Sequence, residues 1–133
     1  MKTYKILVAE DDAVMLKSIL IRLDSQGYEV LCAQDAYQAV ALAREHLPDL
    51  LVLDINMPAG DGFSVHDRIT KLPHLRRTPI IYITGDHSQA VLEKAQALGA
   101  RSLLTKPFDT REFLDAVRDA VEQNESTQEE SAA

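Results

Sequence analysis

Residues 6–12 read ILVAEDD, a short apolar run with no polar alternation that stops abruptly on three acids. Such a run, followed at once by a helical pattern, predicts a strand buried on both faces that delivers Glu10, Asp11 and Asp12 to its carboxyl end. Three later segments end in a similar way: LLVLDINMP stops on Asp54, IIYITGD on Thr84, Gly85 and Asp86, and SLLTKP on Lys106 and Pro107. In an open parallel sheet the crevice beyond the carboxyl ends of the strands is where ligands sit. The acids, the hydroxyl and the ammonium group are therefore expected to meet there.

The stretches between these runs carry helical spacing. Leu16, Ile19, Leu20 and Leu23 predict a helix over 13–25, capped by Asp12 and ended by Gly27. A second strand is expected over 28–32. It is followed by a helix capped by Asp35, whose small buried face (Ala36, Ala39, Val40, Ala43) suggests close approach to a sheet, and Pro48 stops it. The third strand is expected over 49–53, then a loop, NMPAGDG, over 56–62. Val65, Ile69 and Leu72 predict a short third helix. A strand over 80–83 follows, then a helix with Val91, Leu92, Ala95 and Leu98 on one side and Gly99 at its end. The last strand is expected over 102–105. Asp109 and Glu112 then form a capping-box pair for a helix that buries Phe113, Leu114, Val117 and Val121. Five strands alternating with five helices define an α/β fold with a parallel sheet covered on both faces. Residues 1–122 make one domain, and 123–133, acidic and poor in apolar residues, are expected to be a disordered tail.

A chain of 133 residues with 46% hydrophobic content can bury one core without disulfides or structural metal. Its formal net charge of −7 argues against direct nucleic-acid binding, which rests on clustered Lys and Arg. His74, Arg76 and Arg77 are read as a solvated loop, Asp61 and Asp86 as turn or cap residues, and His46, His66, His74 and His87 as surface residues. The lone Cys32 permits no intrachain disulfide and is read as a small core residue in a reducing compartment. No signal-peptide pattern and no membrane-length apolar run are present, so no membrane insertion and a cytoplasmic location are expected. A flavin or dinucleotide carrier on this architecture would need a Gly-rich turn after the first strand, where this chain places three acids.

Converging carboxylates need a cation. At ~4 Å and an effective dielectric near 20, each like-charged pair costs about 4 kcal/mol, comparable with the stability of a small domain. The Lys106 ammonium is one candidate and a hard divalent ion such as Mg²⁺ the other. Together they would let the cleft accept a phosphoryl group. Asp54 is then a candidate nucleophile, and Thr84 a candidate hydrogen-bond donor to a phosphoryl oxygen.

The ordered set ILVAEDD, LVLDINMPAGDG, IIYITGD and GARSLLTKPF resembles the receiver domain of two-component response regulators, over about residues 4 to 122, and the chain reads as a stand-alone receiver. The resemblance implies a flavodoxin-like, doubly wound (βα)5 fold with strand order 2-1-3-4-5, the order also seen in a chemotaxis receiver. It places Asp54 at the phosphoacceptor and Asp11 at the direct metal-ligand acid. Glu10 falls on the acid that reaches the metal through water, and the backbone carbonyl of Asn56 on the third protein ligand. Thr84 matches the switch hydroxyl, Lys106 the phosphate-contacting lysine and Pro107 the typically cis proline. The side chains of Asn56 and Asp86 fall where the family tunes its rates. It also implies Mg²⁺ as cofactor, a sensor histidine kinase or histidine phosphotransfer protein as donor, and an effector protein downstream. The product is a signalling switch that catalyses only its own aspartyl phosphorylation and dephosphorylation, and a phosphorylation-dependent homodimer is compatible with it. One position departs from the pattern: Leu103 stands where the family commonly has Tyr or Phe, which puts the usual relay from the switch hydroxyl in question. A binding module that no longer uses phosphorylation is the alternative.

Overall fold

The computed structural model describes residues 2–57 and 60–132, with side chains to residue 123. The elements alternate as β1 (Lys5–Ala9), α1 (Ala13–Ser25), β2 (Glu29–Ala33), α2 (Ala36–His46), β3 (Leu50–Asp54), α3 (Gly62–Thr70), β4 (Ile80–Thr84), α4 (Gln89–Ala97), β5 (Ser102–Thr105) and α5 (Thr110–Ala132). All strand pairs are parallel and the sheet order is β2-β1-β3-β4-β5. This is the flavodoxin-like doubly wound fold expected from the sequence. Strand boundaries differ from the expected ones by a residue, and β3 and β4 include Asp54 and Thr84 themselves.

Strand alternation divides the core in two. Leu7, Leu51, Leu53, Ile80 and Tyr82 point to the side covered by α2, α3 and α4. Ile6, Val8, Leu50, Val52, Ile81 and Ile83 point to the side covered by α1 and α5, where Leu16, Ile19, Leu23, Phe113 and Val117 meet them. Each fully buried aliphatic or aromatic side chain contributes about 1.5–3 kcal/mol against its exposure in the unfolded chain. On α2 the buried alanines Ala36, Ala39 and Ala43 allow the close approach to the sheet that their spacing suggested. The helix α4 is held more thinly. Ala95 alone is fully buried there, Val91 and Leu92 are half-buried, and Leu98 faces solvent instead of sharing their side.

The caps read from the sequence are made. Asp12 accepts from the amides of Val14 and Met15, Asp35 from Gln38, Asp61 from Ser64, and Asp109 from Arg111. Asp61 and Asp86 serve local backbone, the latter accepting from the Ser88 amide. His74, Arg76 and Arg77 are exposed, and Cys32 packs half-buried against the α1/α5 side.

Two expectations are corrected. The segment after residue 122 continues α5 to Ala132 where a disordered tail was expected. From Thr110 onward the chain contains no Gly or Pro to interrupt the helix, and the packed first turns already supply the costly nucleus, so the helix continues through residues of mixed propensity. Residues 58, 59 and 133 lie outside the described residues, as do part of the expected loop over 56–62 and the end of the tail.

His66 is the second. It is buried, 5% exposed, and its Nδ1 lies 2.6 Å from the Tyr82 hydroxyl. The buried stripe of α3 runs through Phe63, His66 and Ile69, so the helix carries the imidazole inward with its apolar neighbours. Burial holds this imidazole below its ordinary value, while the neighbouring Asp67 charge pulls it up by less. The unfolded chain therefore takes up a proton that the folded chain resists, and stability associated with His66 is present in full above the unfolded value of about 6.5 and lost as pH falls through it. Between about pH 7 and pH 5 the urea midpoint of the wild type should accordingly fall further than that of His66→Gln. Parallel pH profiles for the two proteins would contradict this account.

Candidate functional site

Each strand places its polar terminus at the same edge of the sheet. Just past β1, the Glu10 amide donates to the Ala33 carbonyl at 3.0 Å, which keeps Glu10 extended and its side chain fully buried. The Asp12 carboxylate is turned back onto α1 as its cap, while its own amide donates to Glu10 Oε2 at 3.3 Å. Glu10 and the exposed Asp11 are left facing the cleft. At the end of β3, Asp54 is 4% exposed; its Oδ1 accepts from the Asn56 amide at 3.1 Å. One carboxylate oxygen from each of Glu10, Asp11 and Asp54 lies within 4.8 Å of the others.

Lys106 enters from β5. Its backbone amide donates to the Thr84 carbonyl at 2.7 Å, its bond to Pro107 is cis, and its Nζ lies 2.6 Å from Glu10 Oε1 and 3.3 Å from Asp54 Oδ2. Burial lowers the Lys106 ammonium, but the hydrogen bonds and charges of Glu10 and Asp54 outweigh it, so the group stands above its ordinary value and remains charged. Glu10 is pushed up to about 7, first by burial and then by its hydrogen bond with Asp54 and that group's charge, against the opposing pull of Lys106. Two of the three clustered carboxylates thus share one ammonium. The raised Glu10 carboxyl reflects the excess negative charge of the cleft, which a hard divalent cation would neutralise. An all-oxygen donor set containing two buried carboxylates fits such an ion.

Thr84, fully buried, ends the neighbouring strand and is paired in register with Thr105. Its Oγ1 accepts from the Asp86 amide at 3.0 Å, which leaves the hydroxyl proton available to another acceptor. The structure therefore brings Glu10, Asp11, Asp54 and Lys106 into one cluster, wraps the Asn56 backbone onto Asp54, and sets Thr84 at the adjoining strand end. Leu103 is half-buried beside Tyr82 of β4, on the side covered by α2, α3 and α4.

Gly62, expected only as punctuation of the loop over 56–62, has a structural role that its sequence context does not signal. The Gly62 amide donates to the Ile55 carbonyl at 2.9 Å, and a Cβ built on this residue would stand 2.7 Å from the Asp54 carbonyl oxygen. The first turn of α3 thus lies directly against the backbone of Asp54, an approach open only to glycine.

Fold and cleft together define an open α/β protein with a cluster of three acids and a lysine at its strand ends. Comparison with known proteins agrees: residues 6–118 match the model of the response regulator receiver domain. The chain belongs to that family. It is 34% identical over 118 residues to the transcriptional regulatory protein PdtaR of Mycobacterium tuberculosis, covering 88% of this chain and 56% of that protein. It therefore spans little more than half the length of such curated relatives. Among solved structures it resembles a CheY-like response regulator receiver domain protein from Methanospirillum hungatei, with a TM-score of 0.88 and 25% identity, over 95% of this chain and 99% of the other. The chemotaxis response regulator CheY4 of Vibrio cholerae matches with a TM-score of 0.84 and 28% identity, over 90% and 99%. Residues 6–118 thus form a response regulator receiver domain of the kind found in two-component systems.

Crowding at Gly62 can be measured directly. Gly62→Ala should lower the urea midpoint by an amount equivalent to about 1–3 kcal/mol, the usual cost of overpacking. Gly85→Ala, whose added carbon meets nothing within 4 Å, should stay within about 0.5 kcal/mol of wild type. Equal effects at the two positions would remove the argument for close approach.

Proposed function

We propose that this receiver accepts a phosphoryl group on Asp54 from the phosphohistidine of a sensor histidine kinase or a histidine phosphotransfer protein. The observation that carries the reading is the Lys106 ammonium held between Glu10 and Asp54, with Asp11 completing the acid cluster. An Asp54 carboxylate oxygen forms the new O–P bond as the N–P bond of the donor imidazole breaks, and the donor nitrogen leaves with the bonding electron pair. Lys106, already 3.3 Å from Asp54 Oδ2, follows the phosphoryl oxygens and exchanges one carboxylate partner for another anion. Thr84 donates its hydroxyl proton to a phosphoryl oxygen while the Asp86 amide continues to orient it. Mg²⁺ would be held by Asp11, Asp54 and the Asn56 backbone carbonyl, with Glu10 beside them, and supplies positive charge that offsets repulsion between phosphoryl group and carboxylates. The gain in negative charge at the strand ends biases the surface toward an effector protein. A cytoplasmic location and the absence of direct nucleic-acid contact belong to the same reading, the latter supported by the net charge of −7.

One observation favours a second reading, a partner-binding module that works without phosphorylation. Leu103, beside Tyr82, presents no ring to follow the Thr84 hydroxyl. The complete set of Glu10, Asp11, Asp54, Thr84 and Lys106 weighs against it.

Incubation with acetyl phosphate and Mg²⁺ should add the mass of one phosphoryl group to the intact wild-type protein and none to Asp54→Asn. An unmodified wild type would favour the module. Millimolar Mg²⁺ should also raise the melting temperature, since a ligand that binds only the folded state stabilises it. Asp11→Asn should lose most of that rise, and an unchanged melting curve for the wild type would remove Mg²⁺ from the site.

A further inference from the structure

Besides the Tyr82 phenol, four polar or charged side chains are buried among the described residues: Glu10, Asp54, Thr84 and His66. The first three belong to the strand-end cleft. His66 lies outside it, bonded through Nδ1 to the hydroxyl of Tyr82, itself fully buried in β4. A phenol and an imidazole paired in an otherwise apolar layer are an expensive way to fill space, because either partner alone would leave the other unsatisfied.

Their place in the fold gives the pair a use. Tyr82 and Thr84 are two residues apart on β4, so both side chains point to the side covered by α2, α3 and α4. His66 sits in the middle of α3, whose first residue, Gly62, is packed against the Asp54 backbone. The helix α3 is therefore fastened at its start to the strand that carries Asp54, and at its centre to the strand that carries Thr84. Phe63 packs edge-on to the Tyr82 ring at 5.1 Å, and Lys94 of α4 lies 4.5 Å over the Phe63 ring. On the other side of Tyr82, β5 offers Leu103. Apolar contact of that kind is non-directional and lets neighbours slide. A 2.6 Å hydrogen bond is directional and weakens steeply once its geometry is disturbed.

Resting on the phosphoacceptor reading above, we propose that His66 and Tyr82 are positioning residues that couple Thr84 to α3, so that phosphorylation of Asp54 is read on the α3 surface and the adjoining part of α4. When Thr84 turns to the phosphoryl group, the end of β4 moves with it, and the Tyr82 hydroxyl carries that displacement to the imidazole. With Leu103 in β5, this polar link provides a directional path from the hydroxyl to a helix.

The test uses the full chain, isotopically labelled, treated with acetyl phosphate and Mg²⁺, with the phosphorylated fraction measured by intact mass. In the wild type the His66 imidazole nitrogens and the amides of residues 66–70 should shift in proportion to that fraction. Tyr82→Phe keeps the ring and removes only the oxygen. At a matched phosphorylated fraction it should lose most of the α3 response, while amides around Asp54 and Lys106 still shift. A purely structural pair would lower stability in Tyr82→Phe yet leave the α3 response intact, and that result would overturn the proposal. So would a phosphorylated wild type with unmoved His66 nitrogens, a measurement that needs no variant. Failure of the wild type to become phosphorylated would instead overturn the phosphoacceptor reading and this coupling with it.

Discussion

The ion pairs that Lys106 makes with Glu10 and Asp54 are the interaction on which the arrangement at the strand ends depends. They join β5 to groups from β1 and β3, residues 96 and 52 positions away in sequence. Without the ammonium, two buried carboxylates would face each other and Asp11 with only protonation to relieve them. At an effective dielectric near 20 each such repulsion is about 4 kcal/mol, enough to consume much of a domain's stability. Backbone bonds make the arrangement rigid: the Ala33 carbonyl fixes Glu10, the Asn56 amide caps one Asp54 oxygen, and the Asp86 amide orients Thr84. Under the proposed reading, an acidic cleft that already contains one well-placed ammonium would accommodate both a divalent ion and an incoming anion.

The two sides of the sheet are built differently. The α1/α5 side is an apolar layer in which Phe113 and Phe108 stack at 5.4 Å and the helices bury full stripes of aliphatic residues. The α2/α3/α4 side contains the His66–Tyr82 pair, a glycine pressed against the Asp54 backbone, and a helix, α4, with a single fully buried residue. Apolar packing closes one side, and the other holds the directional and close contacts near the cleft. Such a division would let the proposed charge event at the strand ends alter one surface without loosening the whole core.

Most of the fold was legible in the sequence because the helices are amphipathic and the strands apolar, two periodicities that are hard to confuse at these lengths. The helix over 13–25 and the strand over 102–105 are found at their expected ends. Burial of the alanine face of α2 followed from its spacing. Beyond residue 122, composition argued for disorder, but a packed helix start with no Gly or Pro after it continues the helix. His66 was misplaced because its polarity was weighed above its position on a buried stripe, and the partner that makes its burial tolerable, Tyr82, lies 16 residues away on another element.

By itself the sequence determined the five-fold alternation of strand and helix, the identity of the groups at the strand ends, and the caps that hold Asp12 and Asp35 to their helices. These are local properties, set by side-chain periodicity and by hydrogen bonds that span a few residues. Tertiary structure alone decided which carboxylates the Lys106 ammonium would join, that Gly62 must lie against Asp54, and that a histidine would be satisfied by a tyrosine inside the core. Each of those depends on the distance between residues far apart in the chain, and such distances exist only once the parallel sheet has aligned its strands and packed its helices.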